Sequence, residues 1–229
     1  MKIYEMLKEA NEKARKANIE EYELKVRYIF EDLFKEKEVD EKEFLDAIDK
    51  LCEGYPYQYI TKNANFFGYD MYVDENVLIP RLDTEILVDC ICRHIEEKYD
   101  KKDSIRILEI GVGSGALIVA ILKRLEEYSN IIIDGIDISK GAIEVAKKNI
   151  EKYNLEDKVN IYMKDILNEE VQEKYDIIYS NPPYLTSDEM GEISEDVRKE
   201  PSLALYGGED GLDYYRKIIA QAKNYLKNT

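Results

Sequence analysis

Apolar positions recur at helical spacing over the first sixty residues. Ile3, Leu7, Ala10 and Ala14 share one face, and Tyr22, Val26, Ile29, Phe30 and Leu33 repeat the pattern. Phe44, Leu45, Ile48 and Leu51 form a third stretch, with Asp40 as its N-cap and Glu43 three residues on. Gly54 and Pro56 end it. The pattern predicts a small helical bundle over residues 1–64, its charge runs being solvated faces. From Asn65 the periodicity changes to short aromatic and β-branched runs, FFGYDMYV and NVLI, around Asp74-Glu75-Asn76. That predicts a β-hairpin linker over 65–80. Pro80-Arg81 then leads into a helix, with Thr84-Glu85 near its start and Ile86, Leu87, Cys90, Ile91 and Ile95 on one side.

From Ile105 strand and helix alternate. IRILEI, IIIDGIDI, KVNIYMKDI and YDIIYS read as strands; ALIVAILKRLEEY and KGAIEVAKKNIEKYN read as the helices after the first two. Isoleucine-rich strands separated by helices predict a parallel, doubly wound α/β sheet over 81–229.

Composition narrows the function classes. The 229 residues carry a net charge of −16. Residues 1–80 hold 12 Lys+Arg against 19 Asp+Glu and the remainder 21 against 30, so neither part has the basic excess a phosphate backbone attracts. No apolar run approaches the roughly 20 residues of a membrane span, and the N-terminus has no signal-peptide core, which points to the cytoplasm. Cys52, Cys90 and Cys92 lack a C-x-x-C pair and read as packing thiols. With His94 the single histidine, placed on a helix surface, no metal site is expected.

Candidate chemistry gathers where strands end. Gly111-Val112-Gly113-Ser114-Gly115 follows the first strand, and glycines there allow a tight turn and close approach of a ligand to the backbone. The spacing departs from the G-x-G-x-x-G of pyrophosphate sites. Glu109 just before the turn would repel a pyrophosphate and attract a cation, such as the sulfonium and ammonium groups of S-adenosyl-L-methionine. Asp137, about 26 residues after Gly111, ends the second strand and suits ribose hydroxyls. Asp165, after the third, would meet the adenine edge.

Asn181-Pro182-Pro183-Tyr184 follows the fourth strand. An amide nitrogen is a poor nucleophile, so a site that methylates one must hold it in line with an electrophilic methyl and accept hydrogen bonds from its N–H groups. The Asn181 side-chain oxygen and the Pro182 carbonyl can be those acceptors. The prolines make the turn rigid, and Tyr184 can pack on the planar group.

The chain resembles the HemK-type methyltransferases that modify the glutamine side-chain amide of peptide chain release factors. The resemblance runs through PYQYI at 56–60, Phe67-Gly68, VLIPRLDTEILV at 77–88, LEIGVGSG at 108–115, the NPPY turn, and Glu200-Pro201 to Gly211-Leu212. It implies a Rossmann-like class I methyltransferase domain behind a helical domain that docks the release factor. It implies S-adenosyl-L-methionine as cofactor, S-adenosyl-L-homocysteine as product, and the glutamine of a Gly-Gly-Gln loop as substrate, with no direct nucleic acid, no membrane and a monomeric enzyme. The cofactor-binding set is then Glu109, Gly111, Gly113, Gly115, Asp137, Ile138, Asp165, Ile166 and Asn181; the catalytic set is Asn181, Pro182, Pro183 and Tyr184. Arg81, Asp83, Thr84 and Glu85 form a substrate loop, with Arg81 equally readable as a structural ion-pair partner. Leu82 stands where the family commonly has proline, and Val112 where it has threonine. After GLDYYRKIIAQAKNYLKNT the family continues with a strand and a closing hairpin, so the expected fold lacks those C-terminal strands and leaves the fourth strand at an open edge. Two other readings stay open: a nucleic-acid adenine or cytosine amino-methyltransferase, sharing NPPY, and an inactive cofactor-binding fragment.

Overall fold

A computed structural model describes residues 3–35 and 37–227. The chain divides into two compact units: residues up to Asn63 together with Ile193–Lys199, and Ala64–Glu192 together with the chain from Glu200 onward.

The first unit is helical: α1 (Ile3–Lys16), α2 (Tyr22–Leu33), α3 (Glu41–Cys52) and the short α4 (Tyr57–Thr61). Met6, Ala10, Ala14, Val26, Ile29, Phe44, Ile48 and Leu51 form its core. Asp40 caps α3 by accepting from the Lys42 and Glu43 backbone N–H groups, whereas the Glu43 carboxylate turns to Lys37. The capping box is therefore half made.

A two-stranded hairpin, β1 (Asn63–Phe66) and β2 (Tyr69–Tyr72), opens the second unit, all of it but Asn63 lying there. Its turn is Phe67-Gly68, not the Asp74-Glu75-Asn76 segment expected. Phe67 (φ 52°) and Gly68 (φ 81°) are both left-handed, the requirement of the two-residue turn whose twist matches a hairpin. An aromatic residue at the first turn position disguised it as strand. The NVLI run at 76–79, expected as the second strand, pairs with no strand among the described residues. The helix α5 (Glu85–Lys98) buries Val88, Ile91, Cys92 and Ile95; Ile86 is 65% exposed and Cys90 is exposed, so its apolar face is rotated from the one expected.

The strands β3 (Ile105–Ile110), β4 (Ile131–Asp137), β5 (Val159–Met163) and β6 (Ile177–Ser180) form a parallel sheet in the order β5-β4-β3-β6. Between them run α6 (Ala116–Arg124) and α7 (Lys140–Lys152); after β6 come α8 (Ser187–Glu192) and α9 (Asp213–Tyr225). One face of the sheet, with Ile105, Ile107 and Ile133, packs on α5, α6 and α7. All residues of α6 from Ala116 to Leu122 are buried, which is why its sequence is apolar on every side. The other face, with Leu108, Ile110 and Ile136, packs on Ile166, Val171, Tyr175 and Tyr225 of α9. The outer edge of the chain entering β6 is engaged rather than open: Tyr175 N–H donates to the Tyr225 carbonyl, and Lys227 N–H to the Tyr175 carbonyl.

Candidate active site

The C-terminal ends of β3, β4, β5 and β6 line one cleft of about 1100 Å³, counting its open mouth. This is where open α/β sheets bind ligands. Glu109 to Ser114 form its floor, Asp137 to Ser139 and Lys164 to Ile166 one wall, and Ser180 to Pro183 another. Asn76 to Leu78, Pro80, Arg81 and Thr84 close it from the hairpin side, and Pro201, Leu203, Ala204 and Tyr214 from the far side.

The glycine turn is left-handed at Gly111 (φ 79°), Gly113 (φ 54°) and Gly115 (φ 77°). A Cβ on Gly115 would press on Ala146 of α7 at 3.3 Å, while those on Gly111 and Gly113 would meet nothing within 4 Å. Gly115 thus seats helix against helix; the other two leave backbone open to a ligand. Two further polar groups brace the turn. Asp137 accepts from Gly113 N–H (2.9 Å) and Ser139 N–H (2.8 Å), binding the turn to the end of β4. Burial pushes its carboxyl up, opposed by these backbone donors. Asn149 of α7 is wholly buried and donates to the carbonyls of Ser114 and Tyr72 (both 2.8 Å) while accepting Tyr72 N–H (2.7 Å). Hairpin, glycine turn and α7 meet at this one amide.

Glu109 is 1% exposed, and its Oε2 has no hydrogen-bond partner among the described residues. It lies opposite Tyr179 in the β3–β6 register, and the Tyr179 hydroxyl interacts with the carboxyl but completes no well-formed hydrogen bond among the described residues. Burial drives the Glu109 carboxyl well above its ordinary value, with Tyr179 opposing and Asp137 adding to the rise. A buried acceptor left open at the wall of a cleft suits a cationic or donor-rich ligand.

Asp165 caps its own turn: Oδ1 accepts Leu167 N–H (2.9 Å) and Oδ2 accepts the Asn168 amide (2.6 Å). Ile138 is exposed at the cleft and Ile166 buried beneath it, two apolar surfaces flanking the carboxylates. Tyr214 of α9 joins this wall, its hydroxyl held up by burial and then by Asp165, Asp213 and Asp137.

Asn181 Nδ2 donates to the Thr84 hydroxyl at 3.2 Å. Pro182 and Pro183 line the cleft, but Tyr184 does not; it is 53% exposed beside the Gly207–Gly211 segment. That segment supports the turn from behind. Leu185 N–H donates to the Leu205 carbonyl and Gly207 N–H to the Leu185 carbonyl, both at 2.9 Å. A Cβ on Gly207 would strike the Pro183 carbonyl at 2.6 Å, and one on Gly211 the Tyr184 carbonyl at 2.2 Å.

Of the four loop residues, Arg81 and Thr84 reach the cleft. Arg81 forms an ion pair with buried Glu200 (2.6 Å), whose other oxygen accepts Ile79 N–H (3.0 Å). Glu85 accepts Phe67 N–H at 2.7 Å, tying α5 to the hairpin turn, and Asp83 is exposed. The cysteines take no part: Cys52 is half-buried, Cys90 exposed, and burial pushes the Cys92 thiol up to about 11. Among the described residues no cluster of His, Cys, Asp and Glu could hold a metal, and no helix is long and apolar enough to cross a membrane.

Sequence reading assigned no role to Tyr179, Asn149, Glu200 or Tyr214. Asn149 left a signal, a polar residue on the helical face of Ala142, Val145 and Ala146. The cross-strand pairing of Tyr179 left none.

Residues 83–200 match the family described as Methyltransferase small domain. The chain is 39% identical over 236 residues to the release factor glutamine methyltransferase of Clostridium acetobutylicum, an alignment covering 99% of this chain and 80% of that one. With the release factor glutamine methyltransferase of Streptococcus pneumoniae it shares 39% identity over 194 residues, 83% of this chain and 65% of the other. With the bifunctional methyltransferase of Rickettsia typhi it shares 34% over 253 residues, 98% of this chain and 48% of the other. Among solved structures, the hMettl16 catalytic domain in complex with MAT2A 3′UTR hairpin 6 superposes with a TM-score of 0.50 at 18% identity, over 69% of this chain and 58% of that one. At that identity the likeness is one of fold alone.

Proposed function

Since the chain belongs to the release factor glutamine methyltransferase family, we propose that it moves a methyl group from S-adenosyl-L-methionine to the side-chain amide nitrogen of a release-factor glutamine, the one in the Gly-Gly-Gln loop. S-adenosyl-L-homocysteine is the product. The observation that carries this reading is the one cleft shared by the open glycine turn, the buried Glu109 carboxyl with its unsatisfied Oε2, and the Asn181-Pro182-Pro183 turn.

When bound, S-adenosyl-L-methionine supplies an electrophilic sulfonium methyl. Gly111 and Gly113 leave room for it, Glu109 offers the acceptor for its cationic part, and Asp137 and Asp165 offer their remaining lone pairs to its hydroxyl and amine donors. Ile138 and Ile166 cover its base. Asn181 Oδ1 and the Pro182 carbonyl accept the two N–H groups of the glutamine amide. They stabilise the positive charge that develops on nitrogen as the C–S bond breaks and the C–N bond forms. The proton leaves nitrogen afterwards, so no strong base is required. Pro182 and Pro183 keep these acceptors fixed, which places much of the rate in positioning. The helical unit is assigned to docking the release factor, a protein partner compatible with the −16 charge of the chain.

The test is to incubate the protein with isotopically labelled S-adenosyl-L-methionine and, separately, a release factor, DNA or RNA, and to map the label by mass spectrometry. Label on the Gly-Gly-Gln glutamine supports the assignment. Label on a nucleic acid and none on the release factor overturns it, as does cofactor binding with no transfer to any acceptor.

A further inference from the structure

Thr84 occupies the N-cap position of α5, where threonine ordinarily accepts a hydrogen bond from its own helix. Here it makes no such bond. Its hydroxyl instead accepts from Asn181 Nδ2 at 3.2 Å, a contact between residues 97 apart in the chain. The segment around Thr84 is fastened on both sides. Glu200 holds Ile79 N–H and the Arg81 guanidinium, Thr84 N–H donates to the Arg81 carbonyl (3.0 Å), and Glu85 holds the hairpin turn. The hydroxyl is therefore presented by a braced element.

A carboxamide has nearly the same shape in its two flipped orientations but opposite hydrogen-bonding character. A threonine hydroxyl can donate or accept, so it fixes where the carboxamide sits through whichever end it meets, and here it meets Nδ2. With Nδ2 taken by Thr84, Asn181 Oδ1 makes no hydrogen bond among the described residues and is the end left for a donor in the cleft.

Resting on the proposed function above, we propose that Thr84 is a positioning residue for methyl transfer, its hydroxyl holding the Asn181 carboxamide so that the oxygen faces the N–H groups of the substrate amide. Without that bond the side chain leaves the position from which its oxygen meets those N–H groups. The cofactor pocket does not change.

Thr84→Val and Thr84→Ser separate this from a structural role. With a release factor as acceptor, Thr84→Val is expected to lower kcat by between about 10-fold and about 100-fold, the scale of a misplaced reacting group. Affinity for S-adenosyl-L-methionine, measured by calorimetry, stays within about twofold, and Thr84→Ser restores kcat to within about threefold of the parent, since it keeps the hydroxyl. A Thr84→Val enzyme with unchanged kcat overturns the proposal. So does an equal loss of rate and cofactor affinity, or a serine variant as slow as the valine one. A second measurement needs no turnover. The Asn181 side-chain amide signals in ¹⁵N NMR should show one protected Hδ2 in the parent and the serine variant, and none in Thr84→Val; protection unaffected by valine sinks the idea. Should the parent methylate no release factor, the proposed function fails while the NMR comparison still decides the role of Thr84.

Discussion

Glu109 on β3 and Tyr179 on β6 sit opposite one another in the sheet and interact, but no well-formed hydrogen bond satisfies the buried Glu109 Oε2 or the Tyr179 hydroxyl among the described residues. Glu109 lines the cleft, two residues before the glycine turn. Such an arrangement costs stability in the free protein and is relieved when a donor arrives.

The cost has a definite pH dependence. The Glu109 carboxyl is raised well above its ordinary value of 4.5. Below about pH 4.5 it is protonated in folded and unfolded chains alike and contributes no difference. As pH rises the unfolded chain ionises first, so stability is lost progressively until the pH passes the folded-state value, at up to about 1.4 kcal/mol per pH unit. Glu109→Gln should therefore melt like the parent near pH 4.5 and at a higher temperature near pH 7, while binding S-adenosyl-L-methionine more weakly. Thermal melts across that window check it; parallel curves would count against the assignment.

Asn181→Ala removes the acceptor in the Asn-Pro-Pro turn while leaving the glycine turn and the acidic wall in place. Methyl transfer should fall to background, on the scale of at least 10²-fold that losing one charge-stabilising group costs. Cofactor affinity should stay within about threefold if Asn181 serves mainly the substrate. Calorimetry against single-turnover rates distinguishes the two; collapse of cofactor binding would give Asn181 to the cofactor instead.

Much of this site was legible in the sequence because its signals are local. The glycine turn, Asp137, Asp165 and NPPY each follow a strand written as an apolar run, and the parallel order brings strand ends together. What was not legible depends on partners distant in the chain. Tyr179 looks like any strand residue until β6 pairs with β3. The ion pair of Arg81 with Glu200 spans 119 positions. Phe67 in a left-handed turn runs against the preference for glycine or asparagine there, so the sequence pattern places the hairpin turn about seven residues too late. On α5, Ile86 and Cys90 are apolar but exposed, so the sequence pattern points to a different face from the buried set Val88, Ile91, Cys92 and Ile95.

Asn149 joins three elements through three hydrogen bonds. Asn149→Ala strands the Tyr72 N–H and the carbonyls of Tyr72 and Ser114, at about 1–3 kcal/mol for each buried group left unsatisfied, less whatever water recovers. A loss of roughly 2–4 kcal/mol in urea unfolding is expected. Because Ser114 belongs to the glycine turn, cofactor affinity should fall too. A loss of stability with cofactor binding untouched would mean that the turn holds its shape without α7.

Glu200 is buried, while Arg81 remains partly in water. Removing the arginine takes the counter-charge from a buried carboxylate; removing the carboxylate frees only a half-solvated cation and the Ile79 N–H. Arg81→Met should therefore destabilise more than Glu200→Gln, whose amide oxygen still accepts from Ile79. Both should slow methyl transfer by loosening the Thr84 segment. Equal destabilisation in paired denaturation curves would show that the ion pair, rather than the buried carboxylate, governs the site.

The glycines behind the catalytic turn test whether NPPY is rigid by itself. Gly211 has φ 75°, and any Cβ there would lie 2.2 Å from the Tyr184 carbonyl oxygen. Neither the backbone conformation nor the space admits alanine without moving the turn. Gly191, by contrast, would place a Cβ in open space. Gly211→Ala should lower kcat by on the order of 10²-fold, since displacement by about 1 Å is enough for that, and S-adenosyl-L-methionine should still bind because the glycine turn is distant in the chain and separately braced. Gly191→Ala should leave both unchanged. Single-turnover kinetics on the two variants decide the matter. If Gly211→Ala turns over at the parent rate, the prolines alone hold the acceptors in place, and the Gly207–Gly211 segment is only a spacer between α8 and α9.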